Sequence, residues 1–166
     1  DIVDIGGEST RPGAYSVAEQ EELDRVVPLV KAVRDRFDVA ISVDTTKPQV
    51  MTESIEVGAN IINDVNALRE KGALEALAAT NAEVCLMHNP NYDDVVCDVK
   101  TFLQERVIAC EKAGIERERI WLDPGFGFGK SQRHNYQLLQ RLQAFHELQL
   151  PLLRSEERRV GKECRS

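Results

Sequence analysis

Three polar residues each close a short apolar run, and each is of a type that can hold a ligand. Asp44 follows Ile41-Ser42-Val43, Asp123 follows Ile120-Trp121-Leu122, and Asn63 takes the same place after Ile61-Ile62. For any one of them alone, capping the next helix is the simpler reading, because Asp and Asn are favoured at that position. Gathered on neighbouring strand ends, the three would converge on one pocket mouth. A carboxylate there can accept two parallel hydrogen bonds from the N–H and amino groups of an amidine-like ring edge.

Two loops add to this set. Gly6–Gly13 combines mobile glycine backbone with Ser9, Thr10 and Arg11, groups suited to an oxyanion or phosphate. A tight turn carrying a solvated arginine is the competing reading. Asp123–Lys130 alternates Phe126 and Phe128 with glycines, leaving little room to bury both rings. They would form a lid or aromatic wall, or else pack locally on the next helix. His88 ends an apolar run without a partner at metal spacing, and His134 and His146 fall in or beside a helix, so no metal ligand is assigned. Ser9 has no neighbouring base and is not assigned as a nucleophile.

The elements that must position these residues are legible as β-branched runs alternating with amphipathic stretches, the pattern of repeated βα units. Strands are predicted at Ile2–Ile5, Val39–Val43, Asn60–Asn63, Glu83–Met87, Ile120–Leu122 and from Leu150. Helices are predicted at about Val17–Arg36, from Pro48 to Gly58, Gly72–Ala79, Asp93–Ala113 and Asn135–Glu147. Pro28 removes a backbone donor from the first helix, which predicts a kink or break. Six strands and five helices in alternation fit a (β/α)8 barrel cut at both ends or an open doubly wound sheet. The barrel is favoured because the polar, glycine-rich segments follow the carboxyl ends of the strands and no GxGxxG follows the first one.

Composition narrows the partners. The 21 basic and 28 acidic residues give a net charge of -7, which argues against nucleic acid or an anionic membrane surface as the main partner. No apolar run approaches a membrane span, and the reading is of a cytoplasmic protein. Cys85, Cys97, Cys110 and Cys164 are too widely spaced for a zinc knot, and Cys85 reads as a small buried hydrophobe. Residues 1–153 are read as one domain. Residues 154–166, with five basic and three acidic side chains and no periodic apolar pattern, are read as a foreign or disordered tail.

Five segments, in order, resemble the dihydropteroate synthase family: Asp4–Gly13, Ser42–Thr45 with Lys47-Pro48, Ile61–Asp64, Cys85–His88 and Asp123–Lys130. The resemblance covers nearly all of Asp1–Leu153. It implies a partial (β/α)8 TIM barrel, about strands 2 to 7, from an enzyme that joins 6-hydroxymethyl-7,8-dihydropterin pyrophosphate to p-aminobenzoate. On that resemblance Asp44, Asn63 and Asp123 hold the pterin ring edge and Met87 lines its pocket. Thr10 and Arg11 lie beside the pyrophosphate and p-aminobenzoate, and Phe128 lies on the p-aminobenzoate side. It further implies Mg2+ on the pyrophosphate, with its ligand outside this sequence, and a homodimer.

The family's Ser-Arg-Lys and Arg-x-His segments are absent, and the loop after His88 is shorter than the family's. The chain is therefore expected to be an internal fragment without full catalytic competence. A pterin-binding methyltransferase domain and a non-catalytic remnant are the alternatives.

Overall fold

The computed structural model describes residues 2–10, 14–89 and 91–153. Five strands, β1 (Ile2–Gly6), β2 (Ala40–Asp44), β3 (Ile61–Asp64), β4 (Glu83–Met87) and β5 (Ile120–Asp123), form one sheet in the order β1-β2-β3-β4-β5. Every pairing is parallel. A doubly wound sheet would reverse its strand order at a switch point. This one does not, and it is the sheet of successive units of a TIM barrel.

The connecting helices are α1 (Glu19–Arg34), α2 (Pro48–Glu56), α3 (Ala73–Ala78) and α4 (Val95–Ala113), followed past β5 by α5 (Gln132–Gln140) and α6 (Gln143–His146). Strand pleating sends Ile5, Ile41, Val43, Ile62, Val84, Leu86, Ile120 and Leu122 towards these helices, where all are buried with Leu23, Val26, Val30, Val99 and Leu103. The opposite, concave face carries the polar members of the same strands. β1 is an edge strand, and its Ile2 and Val3 are exposed.

Three expectations are corrected. The first helix runs through Pro28 without breaking. Pro28 and Asp24, whose carbonyl loses its helical donor, are both exposed, so water can satisfy that carbonyl. The last helix is not continuous but divides at Arg141–Leu142, an arrangement in which Leu138 and Phe145 are both fully buried. The sixth strand is reduced to a parallel bridge between Leu122 and Leu152, with Leu122 N–H donating to the Pro151 carbonyl at 2.9 Å. Residues 154–166 lie outside the described residues.

The turn after β3 is held by a buried carboxylate. Asp64 accepts hydrogen bonds from the N–H groups of Asn66 (2.7 Å) and Leu68 (2.8 Å). Arg106 of α4 donates to the carbonyls of Ala67 (2.7 Å) and Leu68 (3.0 Å). Between them these groups hold Ala67 and Leu68 at φ 52° and 55°, a left-handed conformation unfavourable for residues with a Cβ. Asp64→Ala leaves two N–H groups without partners and is expected to cost about 2–4 kcal/mol. Urea unfolding of the variant against the parent checks this.

Candidate functional site

The three residues singled out from sequence lie on the same face of the sheet, with Asp44 and Asn63 side by side, and none of them is a helix cap. The N-cap positions of α2, α3 and α5 are Lys47, Gly72 and Ser131. Asp44, Asn63 and Asp123 are instead the inward-facing residues at the carboxyl ends of β2, β3 and β5. Asp44 stands opposite Asn63 in the β2–β3 register, Asn63 opposite Cys85, and Met87 opposite Asp123. A cavity of about 240 Å3 opens below them on the concave face, lined by Asp4, Ser42, Ile61, Asn63, Cys85 and Trp121 among others.

Asp44 Oδ1 and Asn63 Oδ1 are both shielded from solvent and neither has a hydrogen-bond partner. Buried acceptors without partners are costly and uncommon in native proteins. Two of them on paired residues of β2 and β3, one lining the cavity, ask for a ligand that brings donors. Asp123 is partly satisfied, its Oδ1 accepting from Gly125 N–H at 2.7 Å.

Burial dominates the electrostatics. It pushes the Asp44 carboxyl up to about 7, helped by the negative charges of Asp4, Asp64, Glu22 and Glu8. Burial likewise raises Asp123 to about 6, opposed by the Gly125 hydrogen bond and by Lys130. Near neutral pH Asp44 is therefore divided between charged and neutral forms. It can meet a donor as carboxylate or offer a proton as acid.

Of the remaining predicted residues, Met87 is buried at the end of β4 and Phe128 is partly exposed on the loop after β5. The two loop phenylalanines separate: Phe126 packs on the hydrophobic core, as in the packing alternative, whereas Phe128 is not part of it. Thr10 is half-buried on the loop leaving β1. Arg11 lies outside the described residues. His88 is buried, with its ring edge-on to Phe102 at 5.0 Å, and burial with the nearby Lys130 charge pulls it down to about 4, so it is neutral.

Three groups were not assigned from sequence. Asp4 lies on the inner face of β1, and its place in the alternation Ile2-Val3-Asp4-Ile5 is the signal that could have found it. Lys130 closes the glycine-rich loop with its ammonium buried. Lys47 forms ion pairs with Glu8 and with the buried Glu22, tying the β1 loop to α1 and to the start of α2. That last link joins residues far apart in the chain, and no local pattern announces it.

Residues 1–159 match the model of a family described as pterin binding enzyme. The chain belongs to the pterin-binding enzyme family. Among relatives, it is 55% identical to the dihydropteroate synthase of Escherichia coli strain K12, over 92% of this chain and 57% of that protein. The dihydropteroate synthase of Haemophilus influenzae is 53% identical, over 92% of this chain and 59% of that protein. Among solved structures, Xanthomonas albilineans dihydropteroate synthase with 4-aminobenzoic acid superposes with a TM-score of 0.89 at 51% identity, over 92% of this chain and 57% of that one. A Yersinia pestis dihydropteroate synthase in a sulfonamide drug complex gives 0.88 at 54% identity, over 91% and 58%. The chain thus spans under three fifths of the length of these pterin-binding relatives.

A raised carboxyl pKa carries a stability cost with a defined sign. Folded Asp44 titrates near 7 against an ordinary 3.8, so the folded state binds the proton more tightly and stability falls as pH rises through that window. Asp44→Asn is expected to stabilise the chain at about pH 8, on the order of 2 kcal/mol, with the gain vanishing near about pH 3.5. Denaturant titrations of both proteins at the two pH values check it.

Proposed function

We propose that the protein to which this chain belongs is a dihydropteroate synthase, condensing 6-hydroxymethyl-7,8-dihydropterin pyrophosphate with p-aminobenzoate to give 7,8-dihydropteroate and pyrophosphate. The observation that carries this reading is the pair of buried, partnerless acceptors Asp44 Oδ1 and Asn63 Oδ1 on paired strands of a chain in a family of pterin-binding enzymes. A pterin edge presents the ring N–H and exocyclic amino donors that these oxygens lack. Met87 at the end of β4 then lines the ring pocket. Phe128 faces the p-aminobenzoate side, and Thr10 with Arg11 lies beside the pyrophosphate. A neighbour bound to 4-aminobenzoic acid and another in complex with 7,8-dihydropteroate support the substrate pair.

In the reaction the bond between the pterin's exocyclic carbon and the pyrophosphate oxygen breaks, and pyrophosphate leaves with the bonding electrons. The arylamine nitrogen forms the new bond to that carbon and loses a proton. Asp44, Asn63 and Asp123 orient the ring, so their contribution is positional and electrostatic. Arg11 and Thr10 provide donors towards the charge that builds on the departing group.

Mg2+ is the cofactor implied for the pyrophosphate. Among the described residues no group of three or more His, Cys, Asp or Glu side chains comes together, and the ligand implied for Mg2+ lies outside this sequence. Among the described residues no helix is long and apolar enough to cross a membrane. The reading places the whole protein in the cytoplasm, as a homodimer.

Calorimetric titration of the purified chain with the pterin pyrophosphate tests this. Binding is expected in the parent chain, weakened by about 2–3 kcal/mol in Asp123→Ala and in Asn63→Ala, where charged or buried hydrogen bonds are lost. Variants that bind as well as the parent would sink the reading, and a folded chain that takes up no pterin would mean that segments beyond the part spanned here are essential to the pocket.

A further inference from the structure

Lys130 has an unusual set of neighbours for a lysine. Its side chain is buried, and its three N–H groups meet three backbone carbonyls: Gly125 at 2.8 Å, His88 at 3.0 Å and Phe128 at 3.2 Å. An ammonium has three donors, and here all of them are satisfied. Two of the acceptors belong to the glycine-rich loop after β5, and the third follows the end of β4. A single side chain therefore fastens the loop to the neighbouring strand.

The fit leaves no slack. A Cβ on Gly125, at φ 72°, would lie 2.1 Å from the His88 carbonyl oxygen and 2.9 Å from Lys130 Nζ. The loop backbone is thus pressed against His88 as closely as glycine allows. Burial pulls the Lys130 amine down to about 8, with the nearby Asp123 carboxylate opposing that shift. Burying this cation is costly, and Asp123 together with the three carbonyl acceptors offsets the cost.

Phe128 is both an acceptor in this arrangement, through its carbonyl, and the residue whose ring is not taken into the core. We propose that Lys130 is a positioning residue, whose ammonium clamps the carbonyls of His88, Gly125 and Phe128 and so fixes the Phe128 ring as the wall against which the arylamine substrate packs. This rests on the dihydropteroate synthase reading for the identity of that substrate. Neither Asp44 nor Asn63 touches the clamp, whereas Asp123 is coupled to it through the Lys130 charge and through Gly125, so loss of the clamp falls mainly on the arylamine side and reaches the pterin side through Asp123 alone.

Two substitutions separate the clamp from a general role in folding. Lys130→Met removes all three donors. Lys130→Arg keeps the charge but replaces a compact three-donor head with a planar fork that cannot serve three converging carbonyls. The chain is labelled with 4-fluorophenylalanine, assigned through Phe→Leu variants, and titrated with pterin pyrophosphate and then with p-aminobenzoate.

Both variants are expected to move the Phe128 fluorine resonance towards that of a solvent-exposed ring while the Phe145 resonance stays in place. The p-aminobenzoate affinity is expected to weaken about tenfold or more, and the pterin affinity to weaken by less than that, through Asp123. An unmoved Phe128 resonance, an unchanged arylamine affinity, or full recovery in Lys130→Arg would overturn the clamp. If the parent chain binds neither ligand, segments beyond the part spanned here are essential to the pocket. The Phe128 resonance then decides the clamp alone, supporting it if moved and overturning it if not.

Discussion

Parallel strands that give their valines and isoleucines to a layer of helices have only one other face on which to carry polar groups. Ile41 and Val43 of β2, Ile62 of β3, Val84 and Leu86 of β4 and Leu122 of β5 are taken up in this way. Their alternates Ser42, Asp44, Asn63, Cys85, Met87 and Asp123 must then face inward, because a strand's side chains change sides at every residue. The parallel register fixes the relative heights, setting Asp44 beside Asn63 and Met87 beside Asp123. A slip of one residue in β2 would exchange Asp44 for Val43 and remove the pocket's chemistry. The site is thus a by-product of the same burial that holds the sheet to its helices.

The pocket holds more negative charge than a stable interior would choose. Asp4, Glu8, Glu22 and Asp64 all act on Asp44, and burial adds to their effect. Lys47 relieves part of this through its ion pairs with Glu8 and Glu22, and Lys130 relieves another part beside Asp123. What remains falls on Asp44, and the Oδ1 atoms of Asp44 and of the neutral Asn63 have no protein partner. Local destabilisation of this sort is retained where a ligand supplies what the fold withholds.

Much of this was readable before the fold was known. Three strands carry a polar residue at the end of an apolar run, which is why Asp44, Asn63 and Asp123 could be chosen, and the polar, glycine-rich segments after the strand ends favoured the barrel. Sequence could not decide between cap and ligand site. That distinction depends on where each helix begins, and Lys47, Gly72 and Ser131 hold the caps. It also could not separate Phe126 from Phe128, since both sit in the same alternation and only packing sends one to the core. The Lys47 ion pairs, the Asp64–Arg106 turn and the Lys130 clamp join residues distant in sequence or rely on backbone carbonyls, which carry no sequence signal. The break between α5 and α6 and the loss of the sixth strand to a single bridge likewise follow from packing rather than propensity.

The most direct test of the pocket is the titration of the Asp44 carboxyl, followed by carbon-13 NMR in the chain with and without 6-hydroxymethylpterin. In the free chain its midpoint should lie near 7, raised by burial. Donor bonds from the ring edge to the charged carboxylate should lower that midpoint by about one unit or more when the pterin is present. An Asp44 midpoint that stays where it was, with pterin shown to be bound, would mean that the ring sits elsewhere and that the two partnerless oxygens do not define the site.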